Sequence, residues 1–211
     1  MAMKRTMILG AAALVLLAGC KADELSIDLK TKDILAAVQG ESGTVSFEAD
    51  FSTFGSLDDG QRAQVEALEA ILSSYVEIDD FELEITDTGF EVTIEGEFPI
   101  TTDLQSDAAY FMAVEPSDII SGAYLVQLRT GDDFDRMERE MQAINFMLAP
   151  DAFHPTRFRL RGDDRFEILA PGAQIDGRYH LMWRGMSEDR LTLRFAGGPF
   201  DEVGAGFLIT P

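Results

Sequence analysis

Two histidines, one cysteine, a set of adjacent carboxylates and a short arginine ladder are the residues of this chain whose types could do chemistry. His154 precedes Pro155 in an expected loop, and His180 follows Tyr179 in an expected strand. Neither belongs to a Gly-x-Ser-x-Gly elbow or a His-Glu-x-x-His helix, the patterns that set a nucleophile or a zinc-bound water beside its base. No phosphate loop or dinucleotide fingerprint occurs either. The spacing therefore points to no catalytic residue, no metal and no cofactor. The pairs Asp58-Asp59, Asp79-Asp80, Asp132-Asp133 and Asp163-Asp164 are neighbours on one chain segment, whereas a glycosidase needs two carboxyls facing across a cleft. Helix capping accounts for Asp58 and Asp132, and a turn for Asp163-Asp164. Clustered oxygens also suit calcium, but the twelve-residue calcium loop is absent.

Arg157, Arg159 and Arg161 alternate, so on a strand their guanidinium groups share one face. Such forks match carboxylates and phosphates, which makes this a candidate anion-binding face. The competing expectation is that the ladder pairs with acids across a hairpin, Glu167 among them, in a chain holding 38 acidic residues.

Cys20 is the only cysteine and cannot form an internal disulfide. It follows a basic start, Lys4 and Arg5, and an uncharged run from residue 6 to 19 rich in Ala and Leu. That order is a secretory signal. The run is shorter than the roughly 20 apolar residues that a membrane helix needs, and the chain turns polar at Lys21. Leu17-Ala18-Gly19-Cys20 resembles the lipobox of bacterial lipoproteins. The resemblance covers residues 1–20 only. It implies cleavage before Cys20, with Leu17, Ala18 and Gly19 read by the peptidase, and acylation of Cys20. It also implies a mature protein held in the cell envelope. Lys21 is not Asp, which favours the outer membrane, facing the periplasm or the surface.

Removal of Lys4 and Arg5 with the leader leaves 15 basic residues against 38 acidic ones, a net charge of −23 over 192 residues. Nucleic acid, which is bound by basic residues neutralising phosphates, is excluded as a partner. Anionic headgroups are poor partners for the same reason. The self-repulsion suits a protein that stays soluble in a crowded or salty compartment.

The elements around these residues follow from periodicity. Residues 25–30 alternate as a strand, residues 33–38 form a short helix, and residues 44–51 alternate again with Val45, Phe47 and Ala49 on one face. Asp58 and Asp59 begin a helix with Val65, Leu68, Ile71, Leu72 and Tyr75 on its stripe. Phe81, Leu83 and Ile85 turn through Asp87-Thr88-Gly89 into Phe90, Val92 and Ile94, a hairpin. The second half repeats this order. A strand at 123–129 leads to a helix capped by Asp132, with Phe134, Met137, Met141, Ile144 and Leu148 inward, closed by Pro150. A hairpin then pairs Phe158 and Leu160 with Phe166 and Ile168. Strands at 179–184 and 191–196 follow, then an edge strand at 207–209, with Trp183 in the core.

The expected fold is therefore α+β, antiparallel sheets with two main helices. A signal peptide occupies 1–19, and the lipidated start, first strand and short helix occupy 20–42. One strand-helix-hairpin unit fills 43–106, and a second, with the C-terminal strands, fills 107–211. The function that fits is a non-enzymatic envelope lipoprotein with an acidic binding or structural domain, a protein partner in the envelope, and a membrane anchor through Cys20. A phage-borne exclusion lipoprotein is a special case. The alternatives are a carrier of a small hydrophobic ligand, with a cavity of about 300 to 1,000 Å³, and an envelope hydrolase with His154 or His180 in a cleft.

Overall fold

Apolar side chains at every second position give the chain strand after strand with one face to bury. A computed structural model describes residues 22–145, 154–162, 165–196 and 204–210. In chain order the elements are β1 (Glu24–Lys30), α1 (Thr31–Val38), β2 (Gly43–Phe54), α2 (Asp59–Tyr75), β3 (Glu77–Ile85), β4 (Gly89–Thr101), β5 (Tyr110–Pro116), β6 (Tyr124–Thr130), α3 (Asp132–Ile144), β7 (Thr156–Arg161), β8 (Phe166–Pro171), β9 (Gln174–Ile175), β10 (Arg178–Tyr179), β11 (Met182–Ser187), β12 (Arg190–Phe195) and β13 (Gly206–Thr210).

The strands make one sheet in the order β10-β9-β12-β7-β1-β2-β4-β5-β6-β13-β8-β11, with β3 paired to β4 off this path. Neighbours are antiparallel except β1 with β7 and β4 with β5. Phe158 of β7 and Phe207 of β13 lie six strand steps apart in that order, yet their rings meet at 5.3 Å. The sheet has therefore curled into a half-barrel. Register puts Leu25, Ile27, Leu29, Phe47, Ala49, Ile94, Phe158, Leu160 and Leu193 on its concave face, and all are buried. Phe47 stacks on Phe98, and Tyr110 meets Phe134 of α3 edge-on. Helices α2 and α3 bury Val65, Leu68, Phe134, Met137 and Met141 in the same core. They are tied together by the Tyr75 hydroxyl, which donates to Glu140 at 2.6 Å. That bond pushes the Tyr75 phenol up from its ordinary range.

The expected α+β class with two main helices is overturned. Strands hold 51% of the described residues and helices 22%, with three helices on a single curled sheet. Several elements do coincide with their expected positions: β1, α1, β2 and the β3–β4 hairpin. Asp58 caps α2 through a full capping box with Gln61. Others differ. The expected hairpin of Phe158 and Leu160 with Phe166 and Ile168 does not form, because β7 pairs with β1 and β12 while β8 pairs with β13 and β11. The segment expected as an edge strand is β13, which lies between β6 and β8.

Asp132 is the first helical residue of α3, and Gly131 is its N-cap. A side chain at Gly131 would overlap the Ser106 carbonyl oxygen. Asp132, Asp133 and Asp135 instead put negative charge in the first turn, where the helix dipole favours it. Leu148 and Pro150, expected to end this helix, lie outside the described residues, as does Asp163-Asp164. Units 43–106 and 107–211 meet within the sheet, where Ile100 of β4 pairs with Met112 of β5.

Candidate functional site

Leu17, Ala18, Gly19 and Cys20 lie outside the described residues, but the point at which the chain enters the fold is well defined. Ala22, two residues after Cys20, is 3% exposed. Its N–H donates to His154 Nδ1 at 3.3 Å, and Nε2 of the same ring lies 3.1 Å from the Tyr110 hydroxyl. Because Nδ1 accepts, the neutral ring carries its proton on Nε2. Next along the chain, the Asp23 N–H donates to the Asp50 carbonyl at 2.7 Å, and the Leu25 N–H to the Pro155 carbonyl at 2.8 Å. The Asp23 carboxylate accepts from the Ser52 N–H at 2.9 Å. His154 therefore fastens the entering chain to the sheet.

His154 also lines a small cavity between α2, α3 and the concave face. Ala22, Phe51, Leu72, Met137 and Met141 are among its other, mostly apolar, walls, and its volume is about 60 Å³. Among the described residues, no carboxylate and no second histidine line it. His180 is elsewhere, with its N–H donating to the Ala173 carbonyl. Among the described residues this cavity pairs no acid with His154, and its volume is far below the size expected of a carrier. Among the described residues, no group of three or more His, Asp or Glu is placed to hold a metal ion.

The arginine ladder lies on the convex face, as its alternation requires, but its partners are not those expected. Arg157 of β7 and Arg194 of β12 both hold the Glu24 carboxylate of β1. Arg159 reaches Asp28 at 3.0 Å, and Arg161 reaches it at 3.6 Å. Glu167, the expected partner, is held by Arg184 of β11 instead, because β8 is not the neighbour of β7. The Arg184 hydrogen bond and its charge hold the Glu167 carboxyl below the usual range. Four guanidinium groups on two carboxylates leave the β7–β12 face cationic. Beside it, β2, β3 and β4 carry an acidic face in which Glu77 opposes Glu97, Asp80 and Glu48 both oppose Glu95, and Glu84 opposes Glu91. Arg194 was readable in advance, since Arg190, Thr192 and Arg194 alternate as the ladder does.

A second concavity lies on the convex face and was not foreseen. Leu125, Leu169, Leu208, Pro171 and Met182 floor it, and the loop holding Asp118 and Ile119 walls one side; its volume is about 450 Å³. Its signal in the sequence is that Leu169 and Leu208 interrupt alternation. Each lies between two residues that face the core, Ile168 and Ala170 or Phe207 and Ile209. A strand apolar on both faces has something to cover or to bind. Next to the groove, β11 ends the sheet order, and Met182 and Met186 are exposed along it.

No protein-family model matches the chain. The curated proteins compared with it include no match either.

Proposed function

We propose that this protein is a lipid-anchored bacterial envelope protein, acylated on Cys20, whose acidic half-barrel serves a binding or structural role and catalyses no reaction. The observation that carries this reading is the Leu17-Ala18-Gly19-Cys20 pattern behind a basic and apolar leader. Consistent with it, Ala22, two residues after Cys20, is already fixed in the fold by burial and by its hydrogen bond to His154. No helix among the described residues is long and apolar enough to cross a membrane. Two or three long acyl chains hold a protein durably, where one does not. The outer membrane is the proposed location, on the identity of Lys21. A protein partner in the envelope is part of this reading, and β11, which ends the strand order among the described residues, is the edge to which an extended segment could add by backbone hydrogen bonds. Labelled palmitate tests the anchor. The wild-type protein takes up label and fractionates with membranes, and Cys20→Ser does neither; equal labelling of the two overturns the reading.

A second reading is favoured by one observation. The convex groove, unlike the inner cavity, has the volume and apolar floor of a small-ligand site. A carrier role would use that groove. An apolar fluorescent probe such as N-phenyl-1-naphthylamine would then bind the wild type and fail to bind Leu169→Asp, whereas equal binding to both dismisses it.

A further inference from the structure

Strand β2 runs antiparallel to β1, so past Asp50 it heads back in the direction from which the chain enters. Together with β3 and β4 it forms a ribbon that continues beyond the start of β1, where Phe54 opposes Gly89 and Ile85 opposes Phe90. At the tip, Phe54 is 75% exposed and Ile85 is 66% exposed. Register puts them on opposite faces. Ile85 continues the row of Phe81 and Leu83, while Phe54 continues the row of Ser46, Glu48, Asp50 and Ser52.

The tip is held firmly. The Gly55 N–H donates to the Thr88 carbonyl at 3.0 Å, the Thr86 N–H to the Gly89 carbonyl at 2.9 Å, and the Gly89 N–H to Thr86 Oγ1 at 3.1 Å. A side chain at Gly89 would overlap the Thr53 carbonyl oxygen, so the two strands meet here as closely as backbones can. One exposed apolar residue needs no explanation. Two at the same tightly built tip, one on each face, cannot both be packing against a single flat partner.

The position of Cys20 supplies the occupant. Glu24 pairs with Asp50 in the antiparallel β1–β2 ladder, a register that brings Ala22 level with Ser52, and Phe54 lies two strand residues further on, roughly 7 Å. Cys20 is two residues before the buried Ala22 and can reach at most about 7 Å from it. An acylated Cys20 therefore cannot hold the domain clear of the bilayer. It draws the tip and the membrane surface to about the same level. We infer that the β2–β3–β4 tip enters the headgroup region end-on, with Phe54 and Ile85 wetted by lipid on either side. The inference rests on the lipid anchor proposed above. The exposed carboxylates Glu84, Asp87 and Glu91 surround the tip, so the surface it fits is zwitterionic, and anionic lipid would repel it.

The test uses the natural acylated protein in phosphatidylcholine vesicles, with the native tryptophan replaced by Trp183→Phe and a single reporter at Phe54→Trp or Ile85→Trp. A control reporter, Ile119→Trp, lies in the exposed loop after β5, away from the entering chain. Vesicles with brominated acyl chains should quench the first two and leave the control unchanged, and added phosphatidylglycerol should reduce the quenching. Both reporter positions are solvent-exposed, and should one variant misfold the other carries the measurement. Mass spectrometry of the N-terminal peptide separates the two claims. Acyl groups present with neither tip reporter quenched overturns the contact and leaves the anchor standing. A bare Cys20 overturns both.

Discussion

Glu24 and Glu167 show how single carboxylates organise this sheet. Glu24 is the hub of a three-strand ion cluster, with its carboxylate only 12% exposed between Arg157 and Arg194. Glu167 lies on β8, next to the last strand of the sheet order, where the hydrogen bond from Arg184 of β11 and then its charge favour the ionised form. In the same pair, Arg184 is held protonated more firmly than usual. A carboxyl whose pKa is lower folded than unfolded contributes stability above its unfolded value, about 4.3 for Glu. That contribution disappears as pH falls through the folded value. Arg184→Gln should therefore move the Glu167 titration, followed by carboxyl NMR, up to the ordinary glutamate range. It should also leave the protein less sensitive to pH below about 4.3. An unmoved midpoint would mean that the pair is absent in solution.

At the scale of elements, the β2–β3–β4 ribbon depends on close approach. Gly89→Ala would push a methyl group into the Thr53 carbonyl, and the resulting overpacking should destabilise the protein by about 1–3 kcal/mol. Urea unfolding measures the loss, and amide exchange at Gly55, whose N–H is bound to Thr88, should speed up locally. This ribbon, with β1, α1 and the capped start of α2, was legible in the sequence because its signals are local: alternation, an Asp-Thr-Gly turn, and Asp58 with Gln61. The rest was not local. β5 is buried at five consecutive positions, Tyr110 to Val114, so it shows no alternation to read. β7 alternates clearly, but alternation does not say which strand lies beside it, and its parallel partner β1 pairs Leu25 with Thr156. The same gap explains the site. The arginine face was visible as a pattern, while its acids, Glu24 and Asp28, came from the far end of the chain. The groove was missed because Leu169 and Leu208 look like core residues when their strands' outer face is not known.

Taken whole, the molecule divides its convex face into a cationic strip on β7 and β12 and an acidic field on β2, β3 and β4, under a net charge of −21 over the whole sequence. Like charges directly opposite across strands are destabilising, and four such carboxylate pairs line that field. Raising ionic strength from 0.01 M to 0.15 M shortens the Debye length from about 30 to about 8 Å. The thermal midpoint should therefore rise with sodium chloride over that range. A fall would mean that the arginine ion pairs outweigh the repulsion. The same imbalance disfavours anionic surfaces, so the proposed envelope location rests on the proposed attachment through Cys20. The most direct measurement is the intact mass of the protein isolated from its natural membrane. The account predicts a chain that begins at Cys20 and carries a diacylglycerol thioether with or without a further amide-linked acyl group; a mass that retains residues 1–19, or that leaves Cys20 as a free thiol, would contradict it.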